Sequence, residues 1–299
     1  AVFWFESQVQ SKYTVWVQNG AFLVFAAVKV VFILHHAPLI AFVWAMLAEA
    51  AVVALFLLVV MGKRGPLFSR LRMSVDRAKT LLRDSWPLIL TAIAITAYMK
   101  IDQIMLGQMI GDEAVGLYSA AVRISEVWYF IPMAIVASVF PAILESKKRS
   151  EAEYYARLQK LYDLMVVMSV AVALPMTFLA KPIIGLLFGE EYVGAGIVLA
   201  IHIWASVFVF LGVASGQWFL AENMQILNFQ RTFFGAVVNI IFNFMLIPCF
   251  DVKGAAIALV ISQAVSCWIY DGFQEMTRSM FWMKIAAMNP VRWARLLLT

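Results

Sequence analysis

The chain has 299 residues, of which 64% are hydrophobic and 14% charged, with a mean hydropathy of +0.86 and a net charge of +5. Soluble domains are about half apolar and a quarter charged, so this composition excludes a soluble fold. Its 23 Phe and 10 Trp exclude intrinsic disorder, leaving an all-α polytopic membrane protein.

Ala1 is preceded by no basic n-region or cleavable signal, so the chain is expected to be the interior of a longer gene product. About 20 mainly apolar residues carry a helix across the hydrocarbon. Eight such stretches are predicted: 15–34, 39–61, 86–109, 114–144, 161–181, 193–216, 232–250 and 254–275. They are too long and continuous for lipid-facing barrel strands, which alternate every second residue. The run 114–144 exceeds what a bilayer needs, so it is expected to tilt or project into water, with a kink at Pro132.

Between the second and third spans, 62–85 forms a basic linker. Leu71, Val75, Ala78 and Leu82 share one face at helical spacing, while Arg72, Lys79 and Arg83 lie elsewhere. That pattern predicts an amphipathic helix on the anionic inner leaflet. The tail 276–299 mixes aromatic, apolar and basic residues around Phe281–Trp293 and reads as interfacial in the same way. The organisation is then 1–61, the linker 62–85, a bundle over 86–275, and the tail.

Lys and Arg are distributed unevenly between alternate gaps. Eighteen lie before the first span, in 62–85 and 145–160, at Arg231 and in the tail; two, Lys181 and Lys253, lie in the opposite gaps. This bias places the basic set and the C-terminus in the cytoplasm. It also argues against a nucleic-acid partner, because the basic residues sit between apolar runs.

An ionisable side chain in hydrocarbon costs at least about 2.5–3.5 kcal/mol, so the six inside the spans are candidate functional residues: Lys29, Glu49, Lys100, Asp102, Arg123 and Glu126. Arg123 and Glu126, three apart, can pair on one helix face. Lys100 and Asp102 are two apart and cannot share a narrow face, whereas Tyr98 and Asp102 do. Gly107 with Gly111, and Gly212 with Gly216, permit close helix contact. Asn239 and Asn243 share one face, where their amides can bond across helices.

The sequence contains no GxxxxGK[ST], HExxH, CxxC or G-x-S-x-G motif and no insertion large enough for a nucleotide-binding domain. His35 and His36 fall in a short outer loop and His202 stands alone in a span, so no metal and no cofactor are expected. Cys249 and Cys267 lie in apolar segments and read as buried small hydrophobes.

Four segments carry a family resemblance. VVNIIFNFMLIPCFDVKGAAIAL (237–259) has paired Asn, an Ile-Pro stop and Gly-Ala-Ala opening the last helix. GLLFGEEYVGAGIVLAI (185–201) resembles a Phe-Gly…Tyr outer loop. KIDQIMLGQMIGDEAVGLYSAA (100–121) resembles an Asp-x-x-x-Leu-Gly…Val-Gly-x-Tyr segment that opens a six-helix half, and FWFESQVQSKY (3–13) resembles a cytoplasmic stretch after a fourth helix. Together they resemble the O-antigen flippase type within the multidrug/oligosaccharidyl-lipid/polysaccharide exporter superfamily. The resemblance implies a fold of two six-helix bundles around a central cavity, with these eight spans as the fifth to twelfth helices and the first four absent. The architecture is thus expected to be MATE-like, the end of one bundle followed by a complete second one.

It further implies a transporter, not an enzyme, that moves an undecaprenyl-diphosphate-linked oligosaccharide across a bacterial inner membrane by alternating access. Membrane lipids and other polysaccharide assembly proteins are the further partners. Lys29, Lys100 and Arg123 would contact the anionic headgroup; Glu49, Asp102 and Glu126 would balance charge or carry a coupling ion. Gly107, Gly111, Asn239 and Asn243 would serve packing or gating. A cation-coupled drug or lipid II exporter of the same superfamily is the alternative, and an integral-membrane polymerase or glycosyltransferase the more distant one.

Overall fold

In hydrocarbon a backbone has no water to pair with, so spanning segments close their hydrogen bonds internally. The computed structural model describes residues 11–64 and 74–293, and its regular elements are all helical. The chain divides into two compact units between Thr80 and Leu81.

In the first unit, α1 (Ser11–Leu34) and α2 (Leu39–Arg64) form a hairpin. The turn contains His36 at φ 50°, and Phe32 meets Phe42 edge-on at 5.8 Å. Trp16, Leu34 and Trp44 are all exposed. Such a surface fits lipid or other helices and not water.

Helix α3 (Val75–Met109) starts at Ser74, whose hydroxyl accepts the Arg77 N–H at 3.4 Å. It runs unbroken into the third predicted span. The described part of the linker is therefore the opening turns of a long helix, in which Val75, Ala78 and Leu82 are as exposed as Lys79 and Arg83. Leu71 and Arg72 lie outside the described residues.

The second unit continues with α4 (Asp112–Glu126), a 3-10 turn at Val127–Tyr129 and α5 (Phe130–Lys147). The break expected at Pro132 thus lies just ahead of it. Pro132 has no N–H to give the carbonyl four residues earlier, at Trp128, and the irregular turn forms there. Next come α6 (Glu151–Phe188), α7 (Ala195–His202) and α8 (Ala205–Ala221). Ser150 caps α6 by accepting the Glu153 N–H.

Helix α9 (Gln225–Cys267) is one element only by backbone bookkeeping, because Asp251 inside it has φ 52°. Here the chain doubles back. Ser266 donates to the Arg231 carbonyl at 3.1 Å, and Asn239 reaches Ser262 at 3.4 Å. A Cβ on Gly254 would clash with the Leu246 carbonyl oxygen, so this close approach admits glycine alone. Among the described residues, seven helical stretches are long and apolar enough to cross a membrane, and the hairpin turns the last of them into two passes. These are the two arms predicted at 232–250 and 254–275. The molecule is an all-α, multi-pass membrane protein.

The two larger apolar cores among the described residues of the second unit are distinct. One gathers Leu106, Tyr118, Ala121, Ala173, Leu199 and Ala255; the other gathers Phe140, Tyr154, Tyr162, Phe210, Trp218 and Met280. Met280 belongs to α10 (Arg278–Ala287), through which the described part of the predicted tail 276–299 docks on the second core. Met280, Lys284 and Ala287 are buried, Arg292 pairs with Asp163 at 3.0 Å, and Gln159 donates to the Met283 carbonyl. Exposed hydroxyls fold back on their own helices, as when Thr96 donates to Ala92 and Ser138 to Ala134, each at 2.8 Å.

Candidate functional site

The second unit encloses a cavity of about 320 Å³. Its polar wall is made by Tyr98, Asp102, Tyr118, Glu126, His202 and Arg231, and most of the remainder is apolar.

Asp102 is the hub of a buried network and is 1% exposed. One oxygen accepts the Tyr118 hydroxyl at 2.7 Å, the other the Asn243 amide at 2.6 Å. Asn243 also donates to Asn239 at 3.1 Å, and the Tyr98 and Ser262 hydroxyls meet at 2.8 Å. The chain of bonds ties α3, α4 and both arms of α9 together. A buried polar group without a partner costs about 1–3 kcal/mol, which is why these side chains come as a connected set. Beside it, His202 Nδ1 meets Ser125 Oγ at 2.9 Å.

The in-span charges separate into three groups. In the first unit Lys29 and Glu49 form an ion pair of 2.8 Å in a groove of about 800 Å³; each is the other's counterion. Asp102 and Glu126 line the cavity of the second unit. Lys100 and Arg123 are exposed instead. The 200° that separates Lys100 from Asp102 on α3 turns the lysine out while the aspartate turns in. Arg123 and Glu126 do not pair, which corrects that expectation. Glu126 lies within electrostatic reach of Lys100 instead.

The glycines divide too. A Cβ on Gly107 would meet Val115 at 3.3 Å, a close contact between α3 and α4. Gly111 makes no helix contact: it precedes α4 at φ 126°, a turn conformation that side chains other than hydrogen rarely adopt. Gly212 lies against Cys267, whereas Gly216 faces open space. Cys267 is buried as expected; Cys249 is exposed, a correction to its reading as a core residue.

Three charged residues, Arg231 on the cavity wall and the buried Asp271 and Lys284, were not legible as a site. Arg231, counted among loop charges, belongs to α9 and is 4% exposed. Its Nε donates to Asn228 Oδ1 at 3.0 Å, its Nη2 to the Gly212 carbonyl at 3.2 Å, and its guanidinium lies over Phe219 at 4.6 Å. Lys284, fully buried, donates to Asp271 Oδ2 at 2.5 Å and to the Cys267 carbonyl at 2.7 Å. Burial pushes the Lys284 ammonium below the ordinary lysine range, and Asp271 opposes that shift. One signal was present: Arg231, Gly235, Asn239 and Asn243 are spaced by four, so the face carrying the paired asparagines extends back to the arginine.

Residues 4–197 match a protein family described as "Polysaccharide biosynthesis protein". The chain belongs to this family. The match ends in α7, so the hairpin motif at 237–259 lies beyond it. Among curated relatives, a probable low-salt glycan biosynthesis flippase of Haloferax volcanii is 25% identical over 64% of this chain and 41% of its own length. A capsular polysaccharide biosynthesis protein of Staphylococcus aureus is 24% identical over 58% of the chain and 44% of its own length. A putative O-antigen transporter of Shigella dysenteriae is 23% identical over 62% and 46%. The chain spans less than half the length of these relatives. Among the described residues, no three His, Cys, Asp or Glu side chains gather as a metal site would require.

Proposed function

We propose that this polysaccharide biosynthesis protein is part of a flippase, not an enzyme, that carries an undecaprenyl-diphosphate-linked oligosaccharide across a bacterial cytoplasmic membrane by alternating access. The observation that carries the reading is the exposure of Lys100 and Arg123 within candidate spans Leu88–Met109 and Asp112–Lys147. A cation facing acyl chains at that depth costs at least about 2.5–3.5 kcal/mol. Two exposed cations at such positions fit a wet passage traversed by an anion better than they fit lipid.

In this reading Lys100 and Arg123 offset the desolvation of the diphosphate and of acidic sugars. In the first unit, taken by itself, Lys29 is paired with Glu49 at 2.8 Å. Asp102 and Glu126, opening on the cavity beside the exposed cations, take up the coupling ion. The names of the relatives support transport of glycan intermediates. The bias of basic residues supports a cytoplasmic C-terminus.

Combined replacement Lys100→Ala with Arg123→Ala in the full-length protein is expected to lower flipping of a fluorescent lipid-linked oligosaccharide in proteoliposomes at least tenfold, with folding unchanged. Wild-type flipping in the double variant would remove this assignment.

A further inference from the structure

We infer that the second unit is two half-bundles stacked end to end and hinged at mid-length, where α4–α5, α6 and α7–α8 are all interrupted at one level. The inference concerns motion inside this unit and does not rest on the transport reading.

The two larger cores mark the halves. The first takes Tyr118 from α4, Ala173 and Ile184 from the end of α6, and Leu199 from α7. The second takes Phe140 from α5, Leu158 and Val166 from the start of α6, Phe210 from α8 and Met280 from α10. Three lines of helix therefore change core part-way along, and each does so at or beside a backbone irregularity. Between α4 and α5 lies the 3-10 turn Val127–Tyr129. Between α7 and α8 the backbone bonds tighten, with the Trp204 N–H donating to Ile201 and the Ser206 N–H to Ile203. In α6, Pro175 has no N–H to give the Ala171 carbonyl. A short 3-10 stretch or a proline is where a long helix bends most readily.

Side-chain bonds place the interruptions side by side. His202, at the end of α7, meets Ser125 of α4 at 2.9 Å, just ahead of the turn at Val127. Trp204 Nε1 donates to Thr177 Oγ1 at 3.1 Å, just past Pro175. Both bonds pin the rim of the first half. The cavity crosses this level: Tyr118 and Val122 belong to one half, Val209 and Gly216 to the other, and Glu126 and His202 to the boundary. Asp102 and Asn243 are tied to the first half through the Tyr118 hydroxyl. Close-packed cores resist deformation, so bending concentrates between them. It reshapes the Gly216 end of the cavity and leaves the Asp102 network whole.

The test is pulsed electron spin resonance on the full-length protein in nanodiscs, with native cysteines replaced by alanine and pairs of spin labels at exposed positions. Leu187 with Leu220 spans the hinge; Glu113 with Leu187 lies within the first half, and Leu144 with Trp282 within the second. The spanning pair is expected to give two populations several ångströms apart, and each pair within a half a single narrow one. Thr177→Val combined with Ser125→Ala frees the pinned rim and is expected to at least double the minor population. Pro175→Ala acts in the opposite direction. Pro175 is exposed, so its replacement opens no void, and the restored N–H is expected to stiffen α6 and reduce the minor population. A spanning pair as narrow as the other two, in wild type and in both variants, would overturn the proposal. Equal broadening of all three pairs would overturn it as well, since the unit would then be loose throughout instead of hinged.

Discussion

Replacing Asp271 by alanine is expected to be among the most damaging single changes in the molecule, costing about 3–5 kcal/mol of folding free energy. Asp271 is fully buried and is the shared counterion of Lys284 at 2.5 Å and Arg231 at 3.9 Å. Its loss leaves two cations in a low-dielectric interior with no carboxylate between them. Detergent-solubilised protein should show a melting temperature lowered by many degrees, or fail to accumulate. Adding Lys284→Met to Asp271→Ala removes one stranded charge and should recover part of the loss, since a missing pair is less harmful than a broken one. Equal melting of Asp271→Ala and wild type would show that the cluster carries little of the fold.

The second large effect falls on Asp102, and here stability and function separate. Asp102→Ala leaves the Tyr118 hydroxyl and the Asn243 amide without their acceptor. At about 1–3 kcal/mol for each unsatisfied group, the bundle should be markedly destabilised. Asp102→Asn keeps an oxygen for Asn243, and the Tyr118 hydroxyl can turn to accept from the new amide, so its thermal stability should stay near wild type. The asparagine has no titratable oxygen. If Asp102 takes up the coupling ion, Asp102→Asn should flip substrate only down its concentration gradient and ignore an imposed ion gradient. Gradient-driven flipping at the wild-type rate would leave Asp102 as a structural hub alone.

The two predictions mark where sequence reasoning reached and where it stopped. The spans were readable because hydrocarbon imposes a length and a composition on each crossing. The last two were legible even though the backbone joins them, since Gly254 and the apolar runs on either side announce the reversal. That Lys100 and Asp102 point different ways followed from helical spacing, which does not say which of the two turns inward. The pairing of Asn239 and Asn243 with Asp102 and Ser262 did not, because helical spacing places residues on a face without naming the helix opposite. Arg231 and Lys284 escaped for another reason. Charged residues near span ends are usually solvated, and only the docking of α10 against the bundle turns Lys284 inward. Arg123 failed as a partner of Glu126 because spacing permits a pair without requiring one, and an exposed guanidinium gains little from it.

The central claim is that Lys100 and Arg123 each face water, not lipid, at membrane depth. With every native cysteine of the full-length protein, Cys249 and Cys267 among them, replaced by alanine, single cysteines at positions 100 and 123 can be treated in intact membranes with a small membrane-impermeant thiol reagent. Rapid modification at both positions, slowed by lipid-linked oligosaccharide, is the predicted result. Cysteines that react only with a lipid-soluble reagent would contradict the account.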